Sequence, residues 1–277
     1  MEFLDAHAHL WQVSEHNWYP ALRTTRPELY RDHLPADYRA GAAGAGVRVA
    51  GLVHVSATSA PGAFIDETRW LDRLHAESPA WPSAIIGSVD PQAGPDVLDE
   101  QLRVQETSPA FRGVRVFSGL DPRSETTATL LRLLAERNLL LDQIIRSAEA
   151  DAYAAALTGS PGTTVVLEHA GWPERDLRQW REGVARLAAL PQVVCKLSGF
   201  GVALGTLDVT TLRPYVETCL ELFGVERCFF GSNFPVDGTA GTYTQLMDAY
   251  QAVTAGLGPA ERRALFIDNA VRCYKIG

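Results

Sequence analysis

Short apolar runs alternate along the chain with longer segments of helical periodicity, and the alternation repeats eight times. Most of the short runs are apolar on both faces, as expected of parallel strands buried between a barrel interior and a layer of helices. The predicted strands are residues 2–8, 49–56, 83–89, 111–117, 139–145, 163–169, 192–198 and 227–233.

The intervening segments place apolar residues at three- and four-residue spacing, which is typical of amphipathic helices. The helices are predicted over residues 96–106, 127–138, 174–190, 208–223 and 242–274, the last with a break near Gly256–Pro259. Strict alternation of strand and helix implies right-handed parallel crossovers. Eight such units in 277 residues predict one domain over 1–277, an α/β fold of the (β/α)8 TIM-barrel type.

Two irregular segments refine this prediction. The glycine-rich segment 41–46 follows a helical pattern and precedes a strand, so it is a helix end and turn rather than a dinucleotide-binding loop. The stretch 10–35 is rich in Trp, Tyr, Pro and Arg. It is predicted to be a long loop between the first strand and the first helix, lying over the barrel mouth, where active sites are built.

Charge and composition narrow the class of partner. The net charge of −8 and the pI near 5.4 argue against nucleic acid and anionic membranes. No stretch approaches the ~20 apolar residues that span a bilayer, and the start lacks the basic and apolar pattern of a signal peptide. We therefore expect a cytoplasmic protein, monomeric or homo-oligomeric, that acts on a small molecule.

Polar side chains end several of the predicted strands, and the carboxyl ends of barrel strands face the active site. His7 and His9 lie two apart, so they share one face of a strand. His169 ends the sixth strand. Arg115 is a candidate for binding a substrate carboxylate through two parallel hydrogen bonds. Lys196 lies on a buried strand and therefore needs a partner or a chemical task.

The combined motifs resemble the amidohydrolase superfamily. They are HxH after strand one, one histidine after strand six, "CKLSG" in strand seven and "FGSNFPV" after strand eight. The resemblance is to the lactonase branch, which includes fuconolactone, rhamnonolactone and pyrone-dicarboxylate lactone hydrolases. It implies a (β/α)8 barrel that opens cyclic esters by attack of water, with His7, His9, His169 and Asn233 at the site positions.

Two positions depart from that pattern. Asn233 stands where the family usually has the aspartate that deprotonates water, and an amide cannot act as a general base. Ser56 stands where some members carry an acid after strand two. The chain thus lacks both carboxylates that usually complete a zinc site. We therefore expect no metal, although the three histidines could still hold one divalent ion such as zinc.

These observations predict a hydrolase of a small, carboxylated lactone or related cyclic acyl compound. The three histidines would polarise the carbonyl and move protons, and Asn233 would bind the tetrahedral intermediate or orient water. Asp237 is the nearest replacement carboxylate. Substrate contacts are predicted at Arg115, Lys196, Ser56 and Trp11. A metal-independent isomerase, cyclase or dehydratase, which needs no aspartate base, is the alternative, and a non-catalytic barrel is a third possibility.

Overall fold

The computed structural model describes residues 1–277, which form an eight-stranded parallel sheet with the strands in sequence order. The nearly closed sheet and its surrounding helices form a (β/α)8 barrel, so the predicted fold is confirmed. All eight predicted strands are present. They are β1 Glu2–Ala8, β2 Arg48–Val55, β3 Ala84–Gly87, β4 Phe111–Val114, β5 Leu140–Gln143, β6 Thr164–Leu167, β7 Val193–Leu197 and β8 Cys228–Phe230.

The predicted helices are also present. Asp208 caps the helix Val209–Phe223 by accepting a hydrogen bond from the Thr211 amide at 3.1 Å. The predicted helix over 242–274 is divided before Pro259 and contains a π-helical turn over Ala264–Asp268. The helices are α1 Pro20–Thr25, α2 Pro35–Gly44, α3 Ala63–Glu77, α4 Pro95–Gln105, α5 Glu125–Glu136, α6 Ala150–Thr158, α7 Leu177–Ala188, α8 Phe200–Leu204, α9 Val209–Phe223, α10 Tyr243–Val253, α11 Pro259–Arg263 and α12 Asn269–Tyr274.

The segment 10–35 differs from the irregular loop that the sequence predicts. It contains α1 and a 3-10 turn over Pro27–Leu29. Trp11 and His33 exchange backbone hydrogen bonds of 2.9 and 3.0 Å, and Trp11 packs with Tyr19 and Leu29 in a small apolar cluster. The segment is therefore partly helical and folds around its own side chains. None of the helices is long and apolar enough to cross a membrane.

The first and last strands meet at a seam that closes the barrel. The Asn233 amide donates to the His7 carbonyl at 2.7 Å, and the His9 amide donates to the Phe234 carbonyl at 2.9 Å. The buried Asp5 carboxylate accepts from the Ser232 amide at 2.7 Å. A Cβ at Gly231 would lie 2.6 Å from the His7 Cβ, so glycine permits the close approach of the strands.

Candidate active site

A pocket of about 290 Å³ is formed where the strands end. Six of the predicted site residues line it, namely His9, Trp11, Ser56, Arg115, His169 and Asn233. The remaining wall is formed by Ala21, Leu22, Thr25, Arg26, Leu29, Ala57, Thr58, Ser59, Phe117, Ile144, Trp172, Val202 and Val236. The pocket therefore joins the ends of several strands to the segment 10–35.

His7 lies on β1 and His9 follows its last residue, with their Nε2 atoms 3.2 Å apart. His9 Nδ1 donates to the Val55 carbonyl at 2.8 Å, which leaves a lone pair on Nε2 of the neutral ring. Burial and the charge of Arg115 lower the pKa of His9 to about 3. His9 is therefore neutral at rest, and its protonated form would be a strong acid.

His169 follows β6 in a left-handed conformation with φ 52°, which turns its ring towards the pocket. Its Nδ1 lies 2.9 Å from the Ser198 hydroxyl oxygen, while Nε2 makes no hydrogen bond to the protein. A Cβ at Gly199 would lie 2.4 Å from Nδ1, so glycine is required for the ring to sit there. Burial, then the charges of Arg115 and Lys196, hold the pKa of His169 well below its usual range.

Lys196 lies beneath the pocket instead of in its wall. Its Nζ is 2.5 Å from Asp142 Oδ2 and 3.3 Å from His7 Nδ1, and all three residues are fully buried. Tyr274 donates to the same Asp142 oxygen at 2.7 Å. The predicted substrate contact is thus replaced by an internal ion pair. Because the lysine donates to His7 Nδ1, the proton of neutral His7 lies on Nε2 and points at His9 Nε2.

Glu168 is a carboxylate at the end of strand six to which the sequence analysis assigns no role. It is fully buried, with Oε2 3.1 Å from Arg115 Nε and 3.8 Å from His169 Nε2, and with Oε1 3.9 Å from His7 Nδ1. Burial raises its pKa to about 8. The sequence signal that could have identified this residue is an acidic side chain directly after the apolar strand β6 and immediately before His169.

The cluster also offers donor atoms for a metal ion. His7, Glu168 and His169 each bring one donor atom within 4.8 Å of the others. The two acids that the chain lacks after strands two and eight are thus partly replaced by a carboxylate at the end of β6. Two cations lie against the same group, since Arg115 pairs with Glu168 and Lys196 donates to His7.

Asp237 does not line the pocket, but it orients the Asn233 side chain by accepting a hydrogen bond from it. Asn233 Nδ2 donates to Asp237 Oδ1 at 2.9 Å, and the Gly201 and Val202 amides each donate to the same carboxylate at 3.1 Å. Burial raises the pKa of Asp237 to about 6. Asn233 Oδ1 consequently faces His9 Nε2 at 3.2 Å. Both atoms are acceptors while His9 is neutral, so this contact becomes a hydrogen bond only when His9 is protonated.

Arg115 occupies the pocket wall with part of its guanidinium already engaged. Nη1 donates to the Ser56 carbonyl at 3.2 Å and Nε faces Glu168, which leaves Nη2 for a ligand. Ser56 Oγ donates to Glu67 Oε2 at 2.6 Å, and Trp11 Nε1 donates to the Arg31 carbonyl at 2.8 Å. Ser56 and Trp11 therefore line the pocket with their donor hydrogens already used.

The chain is similar throughout its length to known proteins. The family model described as amidohydrolase matches residues 4–276. The chain is 30% identical to an uncharacterized protein of Sinorhizobium fredii, covering 99% of this chain and 98% of that protein. It is 28% identical to an L-fucono-1,5-lactonase of Burkholderia ambifaria, covering 99% and 95%. Crystal structures of an amidohydrolase from Burkholderia multivorans, with bound HEPES or zinc, superpose with TM-scores of 0.85 and 0.84 at 26% identity and full coverage of both chains.

Proposed function

Since this chain belongs to the amidohydrolase family, we propose that it is a hydrolase that opens a small carboxylated lactone by histidine-assisted attack of water, without a metal. The observation that carries this proposal is the pairing of two pocket histidines in different hydrogen-bond states. His169 Nε2 is open to the pocket. His9 Nε2, in contrast, is the last atom in a series of hydrogen-bond contacts that runs from Lys196 through His7. Such a pair can divide the base and acid tasks of ester hydrolysis.

His169 is the proposed general base. With Nδ1 donating to the Ser198 oxygen, the Nε2 lone pair would take a proton from water as the water attacks the lactone carbonyl. Glu168 Oε2 lies 3.8 Å from Nε2, and the ionised form of this carboxyl group would stabilise the imidazolium formed. The second amide hydrogen of Asn233 Nδ2 would donate to the carbonyl oxygen as negative charge develops there.

His9 is the proposed general acid. Lys196 can pass a proton to His7 Nδ1 while His7 passes its Nε2 proton to His9 Nε2, along contacts of 3.3 and 3.2 Å. The protonated His9 would be held by Asn233 Oδ1 and would give its proton to the alkoxide that leaves when the ring opens. The proton taken by His169 can return through His7, whose ring centroid lies 4.6 Å away.

Arg115 is proposed to bind the substrate carboxylate through Nη2. The positive charge of Arg115 is, after burial, the largest influence lowering the pKa of His169. A bound carboxylate would offset that charge and make His169 a better base. Substrate recognition would thereby activate the catalytic group.

The hydrogen bonds around His7 and the neighbouring cations support a metal-free site. A divalent ion at His7 would need a lone pair on Nε2, but the lysine at Nδ1 favours the tautomer with Nε2 protonated. Arg115 Nε already lies 3.1 Å from Glu168 Oε2 and would compete with a metal ion for that oxygen. Both features support the proposal that the site works without a resident metal.

Metal independence can be measured directly. We expect the purified protein to contain far less than one equivalent of zinc per chain and to keep its lactonase activity after treatment with a chelator. Elemental analysis before and after treatment, with kcat/KM measured on the same samples, provides the test. One tightly held zinc per chain whose removal abolishes turnover, and whose return restores it, would refute a metal-free mechanism.

Hydrolysis itself is tested by the origin of the product oxygen. In water enriched in oxygen-18, we expect the ring-opened product to carry one solvent oxygen, because water attacks the carbonyl. Mass spectrometry of the product distinguishes this result from the alternative chemistry. The neutral amide of Asn233, in place of an aspartate base, favours an isomerase, cyclase or dehydratase as the second candidate. A product without solvent oxygen would support that candidate and contradict hydrolysis.

A further inference from the structure

The pocket wall is built largely from aromatic and aliphatic side chains. Trp11, Trp172 and Phe117 supply aromatic surface, and Leu22, Ile144 and Val236 are among the aliphatic residues. Phe117 is 73% exposed although its ring lies beside the Arg115 guanidinium, 4.9 Å from the guanidinium carbon. A large exposed aromatic at the edge of a concave apolar surface is a typical ligand contact.

Several hydrogen-bonding groups among these walls are already engaged within the protein. Thr25 Oγ1 donates to the Ala21 carbonyl at 2.7 Å, and Ser59 Oγ accepts from the Ala21 amide at 3.0 Å. The donors of Ser56 and Trp11 are used as described above. Apart from the histidines, the charged side chains of this wall are those of Arg26 and Arg115.

A sugar lactone and this wall are poorly matched. A polyhydroxylated ring carries several hydroxyls that each need a partner when they leave water. A buried hydroxyl left without one lowers affinity by roughly tenfold or more. An aromatic or alkyl body makes no such demand and gains from the removal of apolar surface from water.

Resting on the lactonase function proposed above, we propose that the substrate is a lactone with an aromatic or otherwise apolar body and a single carboxylate, and that it is not a polyhydroxylated sugar lactone. The carboxylate lies at Arg115, the apolar body packs between Trp11, Trp172 and Phe117, and the lactone carbonyl faces His169. This specificity differs from the activity for which the 28% identical L-fucono-1,5-lactonase of Burkholderia ambifaria is named.

The test compares two six-membered lactones with the purified full-length protein. One is 3,4-dihydrocoumarin carrying a ring carboxylate, and the other is L-fucono-1,5-lactone. We expect kcat/KM to be at least tenfold higher for the aryl lactone. Equal or faster hydrolysis of the sugar lactone would overturn the substrate class and leave the hydrolase function standing.

Binding of the ring-opened products separates the two proposals if neither lactone is hydrolysed. The absence of hydrolysis of both lactones would count against the proposed hydrolase function. The substrate class would still be decided by the affinities of the two products, measured by titration calorimetry. We expect the aryl hydroxy acid to bind at least tenfold more tightly than the aldonic acid. Equal affinity, or tighter binding of the aldonic acid, would overturn the proposed specificity.

Two variants of exposed apolar residues test whether Phe117 contributes to the preference for the aryl lactone. Phe117→Ser should reduce the preference for the aryl lactone by about tenfold, because the exposed ring contributes apolar contact area. Leu177→Ser removes another exposed apolar side chain, at the start of α7 and outside the pocket, and should leave both activities unchanged. An unchanged preference in Phe117→Ser would remove this residue from the proposed contact surface.

Discussion

Replacing His169 by asparagine should lower kcat for lactone hydrolysis by roughly 10³-fold, since a positioned general base contributes about 10²–10⁴-fold. Asparagine tolerates the left-handed backbone that His169 adopts at φ 52°, so the turn after β6 can be retained. The substituted side chain cannot accept a proton from water. Steady-state kinetics with a carboxylated lactone would measure the loss.

Two comparisons separate the loss of a base from a loss of structure. Imidazole added to His169→Asn should restore part of kcat, because the vacated space adjoins the pocket and imidazole can take the same proton. His16→Asn changes a histidine that does not line the pocket and should retain full activity. Failure of imidazole to rescue, together with a loss below tenfold, would assign the base to another group.

Replacing Lys196 by methionine should lower the free energy of unfolding by about 3–5 kcal/mol, because it leaves the buried charge of Asp142 without its partner. The pair is fully buried and the contact is 2.5 Å. Denaturant titration followed by circular dichroism would give the change in stability. Methionine keeps the length of the side chain, so loss of charge is the main difference.

Removal of both charges provides the first control. The double variant Lys196→Met with Asp142→Asn should recover most of the stability, because neither buried charge then lacks a partner. Arg132→Ala breaks an exposed pair with Glu136 on α5 and should change stability by less than about 1 kcal/mol. A loss below about 1 kcal/mol in Lys196→Met would show that the buried ion pair is not a stabilising element.

The strands and helices could be predicted because buried parallel strands and amphipathic helices leave simple periodic patterns in sequence. The positions of His9, His169, Arg115 and Asn233 at the pocket followed from the rule that strand ends face the site. That rule uses only local position, so it succeeded for residues whose side chains extend directly from a strand end.

The partners of those residues could not be predicted in the same way. Lys196 and Asp142 lie on strands that are not adjacent, and their pairing depends on which side chains meet inside the barrel. Asp237 was recognised as a nearby carboxylate, but its direction is fixed by the amides of Gly201 and Val202, 36 and 35 residues away. Hydrogen bonds between distant segments leave no periodic signal.

Because the site lies at the seam between β1 and β8, it can form only late in the synthesis of the chain. His9 and Asn233 are 224 residues apart in sequence, yet their side chains meet at 3.2 Å across that seam. A nascent chain can form local strands and helices as it leaves the ribosome, but it cannot bring these two residues together until β8 has emerged. Turnover therefore requires that β8 has joined β1, and a chain that ends before β8 should be inactive however much of its secondary structure has formed.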